Sequence, residues 1–265
     1  MTERQTISND GGATSAPETE SSGAGPRHRG PSLLFLAVVF TSLFFGSLAA
    51  TAAMTGGARF PSPFEPSMGA TIFFSDHADA VRVAAFFQFG AAVPLAIFAA
   101  TAASRLRFLG VQAAGTMIAL VGGALASGMA ALSALFQWVL AQPGIAASEA
   151  VMHAFHLLSF ATGGPGVVVP FGFLVAGVSL TAGLSRNLPR WLMWFGLVLA
   201  AVAEFSSLSL VTPFAMYLLP LARFPGFVWL IAVGATLPAT KRRQEPRAPL
   251  RTVKGSAAVA ITTTT

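Results

Sequence analysis

The feature that most constrains this chain is a run of 35 residues, Glu149 to Gly183, with no acidic or cationic side chain after its first residue. As one straight helix the run would extend about 52 Å, well past a hydrocarbon core of roughly 30 Å. It therefore has to break, and Gly163-Gly164-Pro165-Gly166 is where it can. Pro165 has no N–H to continue a helical ladder, and the glycines tolerate a turn. Ser148 opens the run, and the basic turn Ser185-Arg186-Asn187-Leu188-Pro189-Arg190 closes it.

The rest of the chain has the same character. It is 54% hydrophobic and 10% charged, against about 25% charged in soluble domains. Twenty-three Phe and four Trp stand against one Tyr, a balance suited to lipid contact. There is no cysteine, which excludes disulfides, thiol catalysis and zinc–thiolate sites. The expected fold is an all-α, polytopic membrane helix bundle of six transmembrane helices. Residues 1–31 and 241–265 are expected to be disordered tails, because their Ser, Thr, Gly, Glu and Pro content buries no core.

Six spans are expected. The first is Ser32–Met54, with Ser42, Gly46 and Ala50 as a small-residue stripe. Its rival reading is a signal peptide, with Arg27 and Arg29 before it and Ala50-Thr51-Ala52 as a cleavage site. Residues 55–74 are a Gly/Pro-rich loop whose phenylalanines suit the bilayer surface. Ser75 is expected to cap the second span, Asp76–Ala103, with Asp76 and Asp79 in its first turn. The third, Val111–Leu140, carries Gly115, Ala119, Gly123, Ser127 and Ala131 four apart, beside Gly122, Ala126, Ala130 and Ala134. So small a face is expected at the centre of the bundle. The fourth begins after Ser148. The fifth is Trp191–Val211 and the sixth Phe224–Pro238, with Pro213, Pro220 and Pro225 making residues 212–224 irregular.

Lys and Arg are distributed asymmetrically over these spans. With both termini inside, thirteen face the cytoplasm and three, Arg59, Arg82 and Arg223, face out. The positive-inside rule then places both tails in the cytoplasm. Trp191 and Trp194 fall at the inner interface and Trp138 at the outer one. Fourteen Arg against two Lys reads as codon usage in a GC-rich bacterium, so the expected location is a bacterial cytoplasmic membrane.

The second and fourth spans echo each other. Ser75-Asp76 matches Ser148-Glu149, Phe87 to Gly90 matches Phe160 to Gly163, and Val93-Pro94 matches Val169-Pro170. Spans two and three against four and five would form a parallel repeat.

The polar residues inside the spans gather toward the outer side. Glu204 lies in the fifth span, and an intramembrane carboxyl is by default a site hypothesis. Gln88, Gln137, His153, His156 and Arg223 fall at comparable depth, which predicts a polar pocket in the outer half, closed below by small residues. Glu204 reads as an ion-pair lock with Arg223, as a proton-relay or solute-binding carboxylate, or as a solvated or protonated bystander. His153 and His156, three apart on one face, read as helix-capping residues or as metal or haem ligands. The Gly163–Gly166 break reads as a kink or as a helix end presented to a solute.

No phosphate-cradling glycine loop, His-Glu-x-x-His or Gly-x-Ser-x-Gly motif is present. No catalytic residue, metal or cofactor is assigned, and the charge placement argues against nucleic acid as a partner. The run from Arg82-Val83-Ala84-Ala85-Phe86-Phe87-Gln88 to Arg105-Leu106-Arg107-Phe108-Leu109-Gly110, with Leu188-Pro189-Arg190-Trp191 and Ala203-Glu204-Phe205-Ser206, resembles a bacterial family of six-span integral membrane proteins classed as a domain of unknown function. The resemblance covers residues 33–238 and implies no activity.

The leading functional expectation is a small-solute or proton-linked permease-like protein using the outer pocket around Glu204. The alternatives are a non-catalytic membrane partner or sensor, as a homo-oligomer or on another membrane protein, whose third-span small-residue face packs against its own bundle or another protein, and a metal- or haem-dependent membrane enzyme built on His153 and His156.

Overall fold

The computed structural model describes residues 26–241 except 66 and 146, so the expected disorder of residues 1–25 and 242–265 lies outside the described residues. Eight α-helices and two short 3-10 segments occur in this range, and no strand is found among the described residues. Six segments are long and apolar enough to cross a bilayer. They are α1 (Leu33–Met54), α3 (Ala78–Phe108), α4 (Ala114–Leu140), the broken pair α5 (Glu149–Gly163) and α6 (Pro165–Leu184), α7 (Arg190–Phe205) with its 3-10 extension to Leu210, and α8 (Leu218–Thr236) with the 3-10 turn before it. The remaining helix, α2 (Ser67–Asp76), is too short to span.

The spans form a closed ring in chain order. Each packs on the next, and α8 returns to α1. Outward faces are predominantly apolar, as Phe35, Phe86, Val121, Trp138, Trp191 and Val198 show. Water would not tolerate such a surface on a monomer, whereas lipid requires it. Trp138 lies at one end of the ring and Trp191 and Trp194 at the other, all exposed, as an aromatic belt demands.

Close approach of α4 to its neighbours depends on glycine. A Cβ on Gly122 would stand 2.6 Å from the Pro170 carbonyl oxygen of α6, and one on Gly177 2.5 Å from the Gly115 carbonyl. Gly123 meets Ala99 of α3 in the same way. The small-residue face of α4 is thus consumed between α3 and α6, as expected for a central helix. Near Pro94 inside α3, Ser127 Oγ donates to the Ala92 carbonyl at 2.6 Å.

The two ends of the ring differ. At the terminal end, Arg27 pairs with Thr240 in an isolated antiparallel bridge, and His28 N–H donates to the Ala239 carbonyl at 2.8 Å. Arg105 donates to the Leu237 and Pro31 carbonyls, both at 3.3 Å. At the opposite, loop end, α2 packs Phe73 and Phe74 into a cluster with Val81, Leu140 and Met152.

Three expectations are corrected. Ser75 and Asp76 close α2 instead of opening the second span, and Ser75 Oγ donates back to the Ile72 carbonyl at 2.9 Å. His77 precedes α3 without a side-chain capping bond. Residues 67–74 are helical because Ala70, Phe73 and Phe74 share a buried face, so only residues 55–65 remain as loop. The last span begins at Leu218. Pro220 falls in its first turn, where its missing N–H leaves nothing unpaired, and Pro225 removes one interior bond. Arg223 is therefore inside α8 and does not precede it.

His28 supplies a pH prediction for the terminal end. Its pKa is lowered from 6.5, first by burial and then by the Arg105 charge. A histidine whose folded pKa lies below its unfolded value stabilises the fold above the unfolded pKa. That contribution is lost as pH falls through about 6.5 toward the folded value. Hydrogen exchange at the His28 amide, corrected for intrinsic rate, should accelerate over that window in the wild type and stay flat in His28→Gln.

Candidate functional site

The site begins with the break between α5 and α6. Gly164 has φ −84° and ψ −105°, outside the helical region, and Pro165 starts the next helix without an N–H. Carbonyls at the end of α5 are therefore left without helical donors. Gly164 N–H takes the Phe160 carbonyl at 2.7 Å. The Gly163 carbonyl is taken by Arg223 Nη2, reaching across from α8. A cation at the C-terminal end of a helix is also favoured by the helix dipole. The same guanidinium lies over the Phe44 ring of α1, 5.7 Å from its centroid.

Around this pair the ring encloses a cavity of about 520 Å³ at the loop end, inside the range of about 300–1,000 Å³ typical of ligand sites. Its walls come from α1, α3, α4, α5 and α8. Phe60, Pro61 and Pro63 of the loop form its roof, and exposed Ala52, Ala58 and Pro220 mark its mouth. The loop is held there by rings: Phe60 and Phe74 meet His156 edge-on at 6.2 and 5.1 Å, and Phe64 meets Phe160 at 5.1 Å. This segment, expected on the bilayer surface, is a cover over the cavity.

The polar wall is a continuous chain. Gln137 Nε2 donates to Gln88 Oε1 at 2.9 Å, Gln88 Nε2 donates to Ser47 Oγ at 3.2 Å, and Ser47 Oγ donates to the Ala84 carbonyl at 3.3 Å. It ties α4, α3 and α1 together. Across from it, Ser133 Oγ donates to the Ser159 carbonyl at 2.9 Å. His156 is 3% exposed, lines the cavity, and has no partner for Nδ1 among the described residues.

A second, narrower space of about 50 Å³ continues inward from the same point. Arg223, Gln88, Phe44, Ser133 and Gly163 border both spaces. Beyond them the lining turns apolar, with Phe40, Leu95, Val168, Phe171 and Phe227. The spaces together run from a polar vestibule to a dry slot, with Arg223 at the junction.

Of the sequence-predicted residues, Arg223, Gln88, Gln137 and His156 converge here, with Gly163 and Gly164. Pro165 and Gly166 lie just beyond as the first turn of α6. Glu204 and His153 do not line the cavity. Glu204 is exposed on the outer side of α7, its Oε1 3.2 Å from where a Cβ on Gly172 would stand. At 100° per residue, Ala203 and Ser206 take the inward direction, at 1% and 0% exposure, and Glu204 is turned out. It makes no ion pair with Arg223; among the described residues the ion pairs are Arg59–Glu65 and Arg82–Asp79. His153 is half-buried, one turn nearer the α5 start than His156. No group of three His, Cys, Asp or Glu placed to hold a metal occurs among the described residues. Ser47, Ser133 and Ser159 belong to the site without having been singled out, because serines in small-residue helices read equally well as packing.

Comparison with known proteins adds no assignment. No protein-family model matches the chain, no curated protein matches it, and no solved structure matches it.

Two substitutions separate the roles. Arg223→Leu strips the Gly163 carbonyl of its donor and should destabilise the protein by about 1–3 kcal/mol. Glu204→Gln should change stability by no more than about 0.5 kcal/mol. Thermal unfolding of the detergent-purified protein measures both.

Proposed function

We propose that the protein is a permease-like carrier for a small solute, with both tails cytoplasmic and the cavity open to the outer face of a bacterial cytoplasmic membrane. The observation that carries this reading is the convergence of Arg223, Gln88, Gln137 and His156, from four spans, on one space of about 520 Å³ with a mouth at the loop end. Polar side chains inside a membrane bundle are costly and mark solute or ion pathways. Lys and Arg numbers, thirteen to three under this orientation, support the sidedness. A broken span beside the cavity is a further feature of carriers, which use such breaks to present helix ends to solutes.

Glu204 has no part in this reading. Its position outside the cavity removes the argument for a proton relay through it. The small-residue face of α4 packs within the bundle, with Gly115, Gly122 and Gly123 against α3 and α6, so a partner or sensor would dock through another face.

The absence of cysteine makes the test clean. Single substitutions Thr51→Cys at the mouth, Ala91→Cys in the slot and Val121→Cys on the lipid face can be labelled with a membrane-impermeant thiosulfonate. From outside, Thr51→Cys should react at least about tenfold faster than Val121→Cys. A carrier also visits a state open to the other side, so Ala91→Cys should react in inverted vesicles as well. Reaction of Ala91→Cys from neither side, with Thr51→Cys reactive, would reduce the protein to a binder.

A further inference from the structure

The charge inventory of the loop end is unbalanced at one point. Every carboxylate there is engaged or turned away. Glu65 is paired with Arg59 at 3.2 Å, Asp79 with Arg82 at 2.6 Å, and Glu149 accepts from Ser67 Oγ. Asp76 accepts from Ser75 Oγ at 3.1 Å, and Glu204 lies outside the cavity on an exposed face of α7, its Oε1 close to Gly172 of α6. Among the described residues no Asp or Glu lines either the vestibule or the slot. Arg223 is the one Lys or Arg that lines them, and among the described residues its protein acceptor is the neutral Gly163 carbonyl. The remaining guanidinium donors have no acceptor among the described residues.

We propose that Arg223 is the anchor for a small monocarboxylate, whose short apolar end enters the slot beneath it. A guanidinium offers a planar fork that matches a carboxylate in two parallel bonds. Gln88 and Gln137 each use one amide proton in the polar chain and retain a second for the same head group. The slot sets the tail. Its volume of about 50 Å³ accommodates one or two methyl-sized groups beyond an α-carbon that stays at the junction with the head group, given that a water occupies about 30 Å³. Phe40, Leu95, Phe171 and Phe227 offer such groups apolar contact and nothing to hydrogen-bond a second charge. Cations are disfavoured by Arg223, and doubly charged or fully polar anions waste the slot. The inference rests on the cavity being open to solute, as proposed above, and names the chemistry of what enters it.

The test uses the full chain in detergent or nanodiscs, with butyrate, butanol, butylammonium, inorganic phosphate and the series acetate to octanoate as probes. Binding is read from ligand-dependent shifts of the unfolding midpoint and confirmed by titration. Butyrate should bind at least about tenfold more tightly than butanol, and butylammonium should not bind, since charge-assisted bonds carry the head group. Affinity should rise from acetate to butyrate and fall by octanoate. Arg223→Gln should abolish the preference for butyrate over butanol, while Arg223→Lys retains part of it. The wild-type comparison depends on no variant's folding. Equal binding of butanol and butyrate, or binding of butylammonium or of phosphate alone, would overturn the proposal. If thiol labelling shows an open vestibule and butyrate does not bind, the carboxylate assignment fails while the carrier reading stands. If the vestibule is closed to label, the carrier reading fails first.

Discussion

One carbonyl oxygen organises this molecule. A run of apolar residues too long for a bilayer must break, and the break at Gly164-Pro165 leaves the Gly163 carbonyl without a helical donor. Hydrocarbon contains no water to satisfy it. The chain answers with Arg223 from α8, a donor that brings a full positive charge into the bundle. That charge in turn needs hydration or an anion, because a cation at membrane depth without either costs several kcal/mol. The cavity, the amide chain on its far wall and the missing carboxylate all follow from that sequence of requirements.

The rest of the ring keeps the requirement local. Glycines on α4 and α6 draw the helices together toward the terminal end, where residues such as Val178, Leu192, Trp229 and Val233 leave no room for solute. The loop end is held apart by bulk: Phe44, Phe60 and Phe160 stand around the vestibule, and the loop cover lies across it. A closed terminal end and an open loop end are what the proposed carrier would need. Pro94, Pro170 and Pro225 place weakened turns in three of the spans that would have to move.

Much of the fold was legible in the residues. Six apolar runs, their basic boundaries and the Gly163–Gly166 break are one-dimensional signals, and the structure has the same six spans and the same break. So did the α4 stripes, since small residues four apart have few uses in a membrane other than close packing. The misread parts share a cause. Ser75-Asp76 looks the same whether it begins one helix or ends another, and the choice was made by burial of Phe73 and Phe74 in three dimensions. Pro220 and Pro225 suggested irregular chain, yet one sits in a first turn and the other lies inside the continuous helix α8. Within the site, depth along each span was readable and rotation about it was not. Glu204 and Ser206 lie at nearly the same height, but the hundred degrees per residue that turns Ser206 in turns Glu204 out. His153 and His156 part in the same way. Only the packing of all six spans fixes those rotations, so the gathering of Arg223, Gln88, Gln137 and His156 could be anticipated while the loss of Glu204 could not.

The central claim is that Arg223 makes the vestibule a site of uncompensated positive charge. Gln88→Cys places a thiol on the wall shared by vestibule and slot, in a protein with no other thiol. Its reaction rates with anionic and cationic thiosulfonates of similar size, each divided by the rate with a free thiol, report the local potential. The account predicts a ratio favouring the anionic reagent by at least about tenfold, which converts to about 1.4 kcal/mol, and collapsing to near unity when Arg223→Gln is added. A ratio near unity with Arg223 present, or one favouring the cationic reagent, would contradict it.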